Sequence, residues 1–126
     1  MRFLAVLTVA SALAACSAIG TATAPAATEL VGTWQVDLRP SPNAQPYLQE
    51  FVVSSLQGKA FTGTFYGAPI TQDRINTDWG TIRIAFVTTD GSGPHNHSAV
   101  LSGTRLEGLT NSTGRDFLAY WSATKR

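Results

Sequence analysis

The sequence predicts an all-β domain, a small antiparallel up-and-down β-barrel of about eight strands. Three observations predict this fold. Apolar and polar residues alternate in short segments, turn-forming residues recur at intervals of about 8 to 12 residues, and no long segment has a helical period. A two-sheet β-sandwich made from the same strands is the alternative. The barrel is favoured because the hairpins are local and no long crossover segment is available.

Length and composition restrict the class of protein. The chain has 126 residues, which is enough for one ordinary domain. Only 13% of the residues are charged and 44% are hydrophobic, a balance that excludes a disordered chain. The formal net charge of +1 does not indicate a nucleic-acid partner. A single cysteine excludes an internal disulfide.

Residues 1–15 are typical of a secretory signal peptide. Arg2 supplies a positive charge, and the thirteen residues Phe3 to Ala15 carry none. This run is shorter than the roughly 20 apolar residues that a membrane-spanning helix needs. Its end, Leu13-Ala14-Ala15-Cys16, resembles a bacterial lipobox. The resemblance implies cleavage before Cys16 and attachment of lipid to its thiol, and an uncleaved N-terminal anchor is the alternative.

The lipobox resemblance also implies a location. A lipidated Cys16 attaches the protein to a membrane of the bacterial cell envelope through its acyl chains. Ser17 follows, where many lipoproteins retained in the inner membrane have Asp, so we expect the outer membrane, facing the periplasm. Residues 16–28 are rich in Ala and Thr and predict a flexible tether. The barrel domain is predicted over residues 29–126.

Within that domain, seven turn-forming segments separate eight short segments that alternate with a period of two. Each segment has one apolar side. The apolar sides, in chain order, include Trp34/Val36/Leu38, Phe61/Phe65, Ile82/Ile84/Phe86, Ala99/Leu101 and Phe117/Ala119/Trp121. Residues 72–77 are expected to hold at most one helical turn. The many inward aromatic residues favour a filled barrel, whereas small residues such as Gly63, Ala99 and Ala119 leave room for a cavity.

Gly32-Thr33-Trp34 is similar to the Gly-x-Trp opening of the lipocalins and avidins, the calycin group of ligand-binding barrels. The resemblance implies that a basic side chain near the end of the last strand, Lys125 or Arg126, covers the indole ring. Such a cation–π contact contributes about 0.5 to 2 kcal/mol. An ordinary core tryptophan is the alternative explanation of this motif.

A second segment, Phe61-Thr62-Gly63-Thr64-Phe65, looks like the Leu-Thr-Gly-Thr-Tyr of an avidin strand. Avidins bind biotin with an Asn and a Tyr at positions that correspond here to Val36 and Phe65. Neither residue can form those hydrogen bonds. We therefore expect a related architecture without biotin binding.

His95 and His97 are the candidate metal ligands. Residues at i and i+2 of a strand point to the same face, so two imidazoles could share a metal. The pair directly follows the turn residues Gly91-Ser92-Gly93-Pro94, where solvated side chains are expected. We therefore predict no metal and no cofactor. The charged residues Asp73, Arg74, Asp78, Arg115 and Asp116 are expected to form surface ion pairs.

No catalytic residues are predicted, because the sequence has no Gly-x-Ser-x-Gly motif and its one cysteine is assigned to lipid. The predicted function is a non-catalytic binding module anchored by lipid, which takes a small apolar or amphipathic ligand whose binding residues are unknown. An accessory or inhibitor module that binds another envelope protein through its loops is the alternative. A histidine-based metal-dependent enzyme is the third hypothesis.

Overall fold

A computed structural model describes residues 26–126 of the chain. The predicted signal peptide, Cys16 and most of the predicted tether lie outside the described residues. Within residues 26–126, no helix has the length and apolar character needed to cross a membrane.

A short 3-10 helix, Ala27–Leu30, precedes nine strands. The strands are β1 (Gly32–Asp37), β2 (Leu48–Gln57), β3 (Ala60–Phe65), β4 (Ala68–Pro69), β5 (Thr71–Asn76), β6 (Ile82–Asp90), β7 (Gly93–Ser102), β8 (Arg105–Ser112) and β9 (Phe117–Lys125). They form one antiparallel sheet in the order β4-β3-β2-β1-β9-β8-β7-β6-β5. The predicted all-β up-and-down barrel is confirmed, and the additional strand is the two-residue β4 within a predicted turn.

The barrel closes on one side through β1 and β9, where Val36 is paired with Ala123. Between β3 and β5 a seam remains that regular pairing does not seal. One backbone bond crosses it, from Ile75 N to Lys59 O at 2.8 Å, and another, from Ile70 N to Gly63 O at 3.0 Å, continues the β3–β4 pairing beside it. The sheet is therefore a nearly closed barrel with one partly bridged edge.

Of the two expectations for this seam, the first, at most one helical turn, is met and the second is wrong. Residues 72–77 do not contain a helical turn, because Thr71–Asn76 forms β5, with Ile75 packed in the core. Only one residue of β5 faces the core as a buried apolar side chain, so its sequence lacks a visible alternation. Asp73 does not form a surface ion pair, since its Oδ2 accepts a hydrogen bond from Phe61 N at 2.8 Å. Its carboxylate thus satisfies a backbone N–H that strand pairing leaves free.

A single apolar core fills most of the barrel, as the period of two predicts. Phe51 and Phe86 stack with their ring centroids 5.2 Å apart and connect the two halves of the sheet. The aromatic core residues are Trp34, Phe51, Phe61, Phe65, Phe86 and Trp121. Exposed and buried residues alternate strictly along strand β8. Its buried residues are apolar at the start, with Leu106, and polar at the end, with Thr110 and Ser112. One end of the barrel interior is therefore polar.

The other end is covered by the N-terminal turn and the C-terminal strand. Trp34 Nε1 donates to Leu30 O at 2.8 Å, and Lys125 Nζ lies 5.4 Å from the centroid of the Trp34 ring. Lys125 Nζ also donates to Glu29 O at 2.6 Å. The basic side chain of Lys125 therefore covers the indole of Trp34 at this end of the barrel.

Candidate binding site

The polar end of the barrel is assembled from three neighbouring strands. In β6, β7 and β8, the register places Thr88 opposite His95, His95 opposite Ser112, and His97 opposite Thr110. Directly paired residues of an antiparallel sheet point to the same face. The strand register therefore brings both histidines and their hydroxyl partners together inside the barrel.

His97 is a buried residue with both ring nitrogens hydrogen-bonded. Nε2 lies 2.8 Å from Thr88 Oγ1, and Nδ1 lies 2.7 Å from Thr110 Oγ1. The ring packs against both Phe65 and Phe86, at centroid distances of 4.4 and 4.7 Å. Only 5% of the residue is exposed, so the expectation of a solvated imidazole is wrong. Burial, followed by the neighbouring imidazole of His95, lowers the pKa of His97 to about 4.

His95 lies nearer the opening, between a carboxylate and a hydroxyl. Its Nε2 is 2.8 Å from Asp90 Oδ2, and its Nδ1 is 2.8 Å from Ser112 Oγ. Asp90 Oδ1 accepts hydrogen bonds from Ser92 N and Ser92 Oγ. These bonds, together with that from His95, lower the pKa of Asp90 to about 2. An ionised carboxylate only accepts, so His95 Nε2 carries a proton and donates it to this bond.

The connectivity Asp90–His95–Ser112 is that of the carboxylate–imidazole–hydroxyl chain of serine hydrolases. A nucleophilic serine must reach the substrate with its Oγ. Ser112 is 0% exposed and sits behind His95, so the geometry gives its hydroxyl a role in holding the imidazole in place.

The histidines do not converge on a common metal position. Their ring centroids are 6.4 Å apart, and both nitrogens of His97 are engaged by threonine hydroxyls. Within residues 26–126, no group of three His, Cys, Asp or Glu side chains is placed to hold a metal ion.

A cavity of about 460 Å³ opens at this end of the barrel. Tyr47, Tyr66 and Phe117 form an aromatic rim, and each is about half exposed. Thr88 and His97 contribute polar atoms further inside. The cavity thus combines apolar rings with a small number of hydrogen-bonding groups, as small-molecule sites do.

The two tyrosines of this rim are held together. Their hydroxyls are hydrogen-bonded, and their rings make an edge-to-face contact with a centroid distance of 5.9 Å. Tyr66 and Gly67 are the two loop residues between β3 and β4, with φ of 55° and 77°. A positive φ at a bulky residue costs about 1 to 2 kcal/mol. The backbone is therefore strained at a residue that lines the cavity.

Arg115 also lines the cavity, and its guanidinium carbon lies 5.1 Å from the centroid of the Phe117 ring. The expectation that Arg115 pairs with a nearby carboxylate at the surface is wrong, since no Asp or Glu of residues 26–126 lies within 4.0 Å of it. By contrast, Asp78 does form an exposed pair, with Lys59 at 3.5 Å. Arg115 thus brings a positive charge to the cavity that no carboxylate of the described chain neutralises.

A second, shallow depression of about 520 Å³ lies on the outer face of the barrel. Arg83, Val100, Leu109 and Tyr120 are among its lining residues. The buried polar residues point to the opposite, inner face of the same strands. The barrel mouth is therefore the site where polar chemistry and concave shape coincide.

The sequence pattern identified part of this site. The spacing of His95 and His97 indicated a shared face, but Tyr47, Tyr66, Thr88 and Arg115 were not singled out as site residues. Comparison of this chain with protein-family models, with curated proteins and with solved structures gave no match.

Proposed function

We propose that this chain is a lipid-anchored protein of the bacterial cell envelope whose barrel binds a small amphipathic molecule without transforming it. The observation that carries the binding proposal is the mouth cavity of about 460 Å³. Cavities of roughly 300 to 1,000 Å³ with mainly apolar walls and a few convergent polar groups are typical of small-molecule sites. The aromatic rim would hold the apolar part of the ligand and the inner polar groups its polar part.

The rigidity of the polar wall supports binding. His97 is fixed by two hydrogen bonds and by packing against Phe65 and Phe86. Trp121 Nε1 donates to Thr110 Oγ1 at 3.0 Å, which fixes the next residue of the wall. Groups that are already ordered lose little conformational entropy when a ligand binds.

A substitution that fills the cavity tests this function. Ala119 lines the cavity on β9, and Ala119→Trp would occupy the ligand volume. Ala85→Trp, on the exposed outer face of β6, is the matched control. Small molecules that co-purify with each protein from the envelope are extracted and identified by mass spectrometry. We expect an amphipathic compound with the wild-type chain and Ala85→Trp that is depleted with Ala119→Trp, and equal extracts from all three would contradict the proposal.

The membrane part of the proposal is supported by the lipobox-like sequence ending at Cys16. Acyl chains on this residue would supply attachment at about 0.8 kcal/mol per buried methylene. Cys16→Ser should move the protein out of the outer-membrane fraction and remove the lipid mass. An unchanged lipid-bearing mass in Cys16→Ser would exclude lipidation at this residue.

An accessory or inhibitor module that binds another envelope protein is the second candidate. One observation favours it: Trp79, in the loop between β5 and β6, is 77% exposed. Exposed tryptophans are over-represented among residues that dominate protein–protein binding. Cross-linking in intact cells should then trap a partner with the wild-type chain and much less of it with Trp79→Ala, whereas an equal yield would remove this candidate.

A further inference from the structure

A chain of hydrogen bonds behind the cavity runs from Trp121 through Thr110 and His97 to Thr88. An indole N–H only donates, so Trp121 Nε1 donates to Thr110 Oγ1. The other side-chain partner of this hydroxyl is His97 Nδ1 at 2.7 Å. Thr110 keeps its own hydroxyl proton and can donate it to Nδ1, which is then the acceptor nitrogen of the ring.

When His97 Nδ1 accepts from Thr110, the tautomer of the imidazole determines the role of its other nitrogen. Burial keeps His97 uncharged at neutral pH, because its pKa is lowered to about 4. A neutral ring whose Nδ1 accepts carries its proton on Nε2. Nε2 then donates to Thr88 Oγ1 at 2.8 Å, and Thr88 keeps its own hydroxyl proton. Since Thr88 lines the cavity, the chain ends in a donor available to a bound molecule.

The charged residues that line the cavity also favour a ligand that accepts hydrogen bonds. Both oxygens of Asp90, the carboxylate among the described lining residues, already accept hydrogen bonds from Ser92 or His95. Arg115 has donors only, and no carboxylate of the described residues is within ion-pair distance. A ligand in the cavity therefore meets the guanidinium of Arg115 and the hydroxyl of Thr88, since both groups line it.

We propose, building on the function proposed above, that the ligand is an apolar organic carboxylate, whose anionic oxygens accept hydrogen bonds from Arg115 and Thr88. A planar guanidinium matches a carboxylate with two parallel hydrogen bonds, which gives orientation as well as affinity. The rings of Tyr47, Tyr66 and Phe117 contact the apolar body. An ammonium group at the same position would face the like charge of Arg115.

Three probes that share one apolar body test this preference. 2-Naphthoate is an anion, 2-naphthamide is a neutral acceptor of similar size, and 2-naphthylmethylamine is a cation at neutral pH. Each is titrated by calorimetry into the full chain in detergent micelles, with protein-free micelles as the blank. We expect the naphthoate to bind about tenfold more tightly than the amide, as a charge-assisted hydrogen bond implies, and the amine to bind most weakly.

Substitutions test whether Arg115 and Thr88 are the donors that produce the preference for a carboxylate. Arg115→Gln should weaken naphthoate about tenfold and the amide less than about twofold. Arg83→Gln, which removes the same charge from the outer face, should change neither. Thr88→Val should weaken both probes several-fold because both present an acceptor oxygen. Thr89→Val, at the exposed neighbouring position, is its control.

The outcomes separate the ligand class from the binding function. If the three probes bind with equal affinity, or the amine binds best, and Ala119→Trp abolishes that binding, the carboxylate preference is wrong while the cavity remains a binding site. If Arg83→Gln weakens naphthoate as much as Arg115→Gln does, the assignment of the charge to Arg115 is wrong. Absence of binding by all three probes would contradict the proposed function and the ligand class with it.

Discussion

The indole of Trp121 lies directly against the backbone of Gly108, its paired residue across β8 and β9. A β-carbon at Gly108 would be 2.3 Å from Cε2 and Cζ2 of that ring, far inside van der Waals contact. Only glycine leaves the indole in this position, from which Nε1 reaches Thr110 Oγ1. The glycine is therefore part of the support for the polar wall of the cavity.

Gly108→Ala should lower the free energy of unfolding by about 1 to 3 kcal/mol, because overpacking forces Trp121 out of its rotamer or β8 away from β9. Gly91→Ala is the control, since a β-carbon there meets nothing within 4 Å and Gly91 has no positive φ. Urea unfolding followed by circular dichroism measures both effects. An equal, small change in the two variants would contradict the packing argument.

Acid should destabilise the barrel through His97. In the unfolded chain a histidine has a pKa of about 6.5, whereas burial lowers the pKa of His97 to about 4. Between these values the unfolded state binds the proton and the folded state does not, so stability falls as the pH falls. The full loss corresponds to about 3 kcal/mol and levels off below the folded pKa. Urea unfolding at a series of pH values measures it.

The variant His97→Gln separates the acid sensitivity caused by His97 from that caused by other titratable groups. The variant should be less stable than the wild type at pH 7.5, because glutamine cannot restore both hydrogen bonds. Its stability should change much less between pH 6.5 and 4. Asp90, whose pKa is about 2, stabilises the fold above its unfolded pKa and loses that contribution only at lower pH. A wild-type slope retained in His97→Gln would assign the acid sensitivity to other groups.

The period of two in the sequence was sufficient for the fold class. Alternation at Ile82, Ile84 and Phe86 predicted their buried positions, which is a local property of a half-buried strand. Strand β5 was predicted only from the turn residues on either side of it, because its one buried apolar residue, Ile75, gives no alternation. The strand exists because the seam bonds from Ile75 N and to Asp73 hold it against β3, and such bonds have no sequence signature.

The candidate site depended on register, which the sequence does not specify. The i and i+2 spacing predicted that His95 and His97 share one face of the strand. It did not predict which face this is or which residues would be their hydrogen-bonding partners. Their burial follows from the pairing of His97 with Thr110 and of His95 with Ser112. Tyr47 is 19 residues from Tyr66, and only the folded sheet brings their hydroxyls together. A turn residue such as Tyr66 has no local feature that predicts a place in a cavity.

Lys125 should stabilise the closed end of the barrel through its contact with Trp34. Its Nζ lies 5.4 Å from the ring centroid and also donates to Glu29 O. Lys125→Met keeps much of the side-chain volume and removes the charge, so we expect a loss of about 0.5 to 1 kcal/mol. Lys59→Met, which removes only an exposed pair with Asp78, should change stability less. Thermal unfolding compares the two, and equal losses would mean that the indole contact contributes nothing.

Tyr66 should lower the stability of the fold through its positive φ and contribute to ligand binding through its ring. Tyr66→Asn places a residue that tolerates positive φ at a position with φ of 55°, and relief of strain should raise stability by about 1 kcal/mol. The same variant removes a rim ring and should weaken 2-naphthoate several-fold. Tyr66→Phe keeps the ring and the strained backbone and removes only the exposed hydrogen bond to Tyr47, so binding and stability should change little.

Gln72 provides the matched control for the backbone effect. Its φ is 51°, it is exposed, and it does not line the cavity. Gln72→Asn should therefore raise stability by a similar amount, about 1 kcal/mol, while naphthoate binding stays unchanged. If Tyr66→Asn gained stability and kept full affinity, the strained tyrosine would have no part in the site. If both asparagine variants were less stable than the wild type, the positive φ values would not be a source of strain, and the turn would require another explanation.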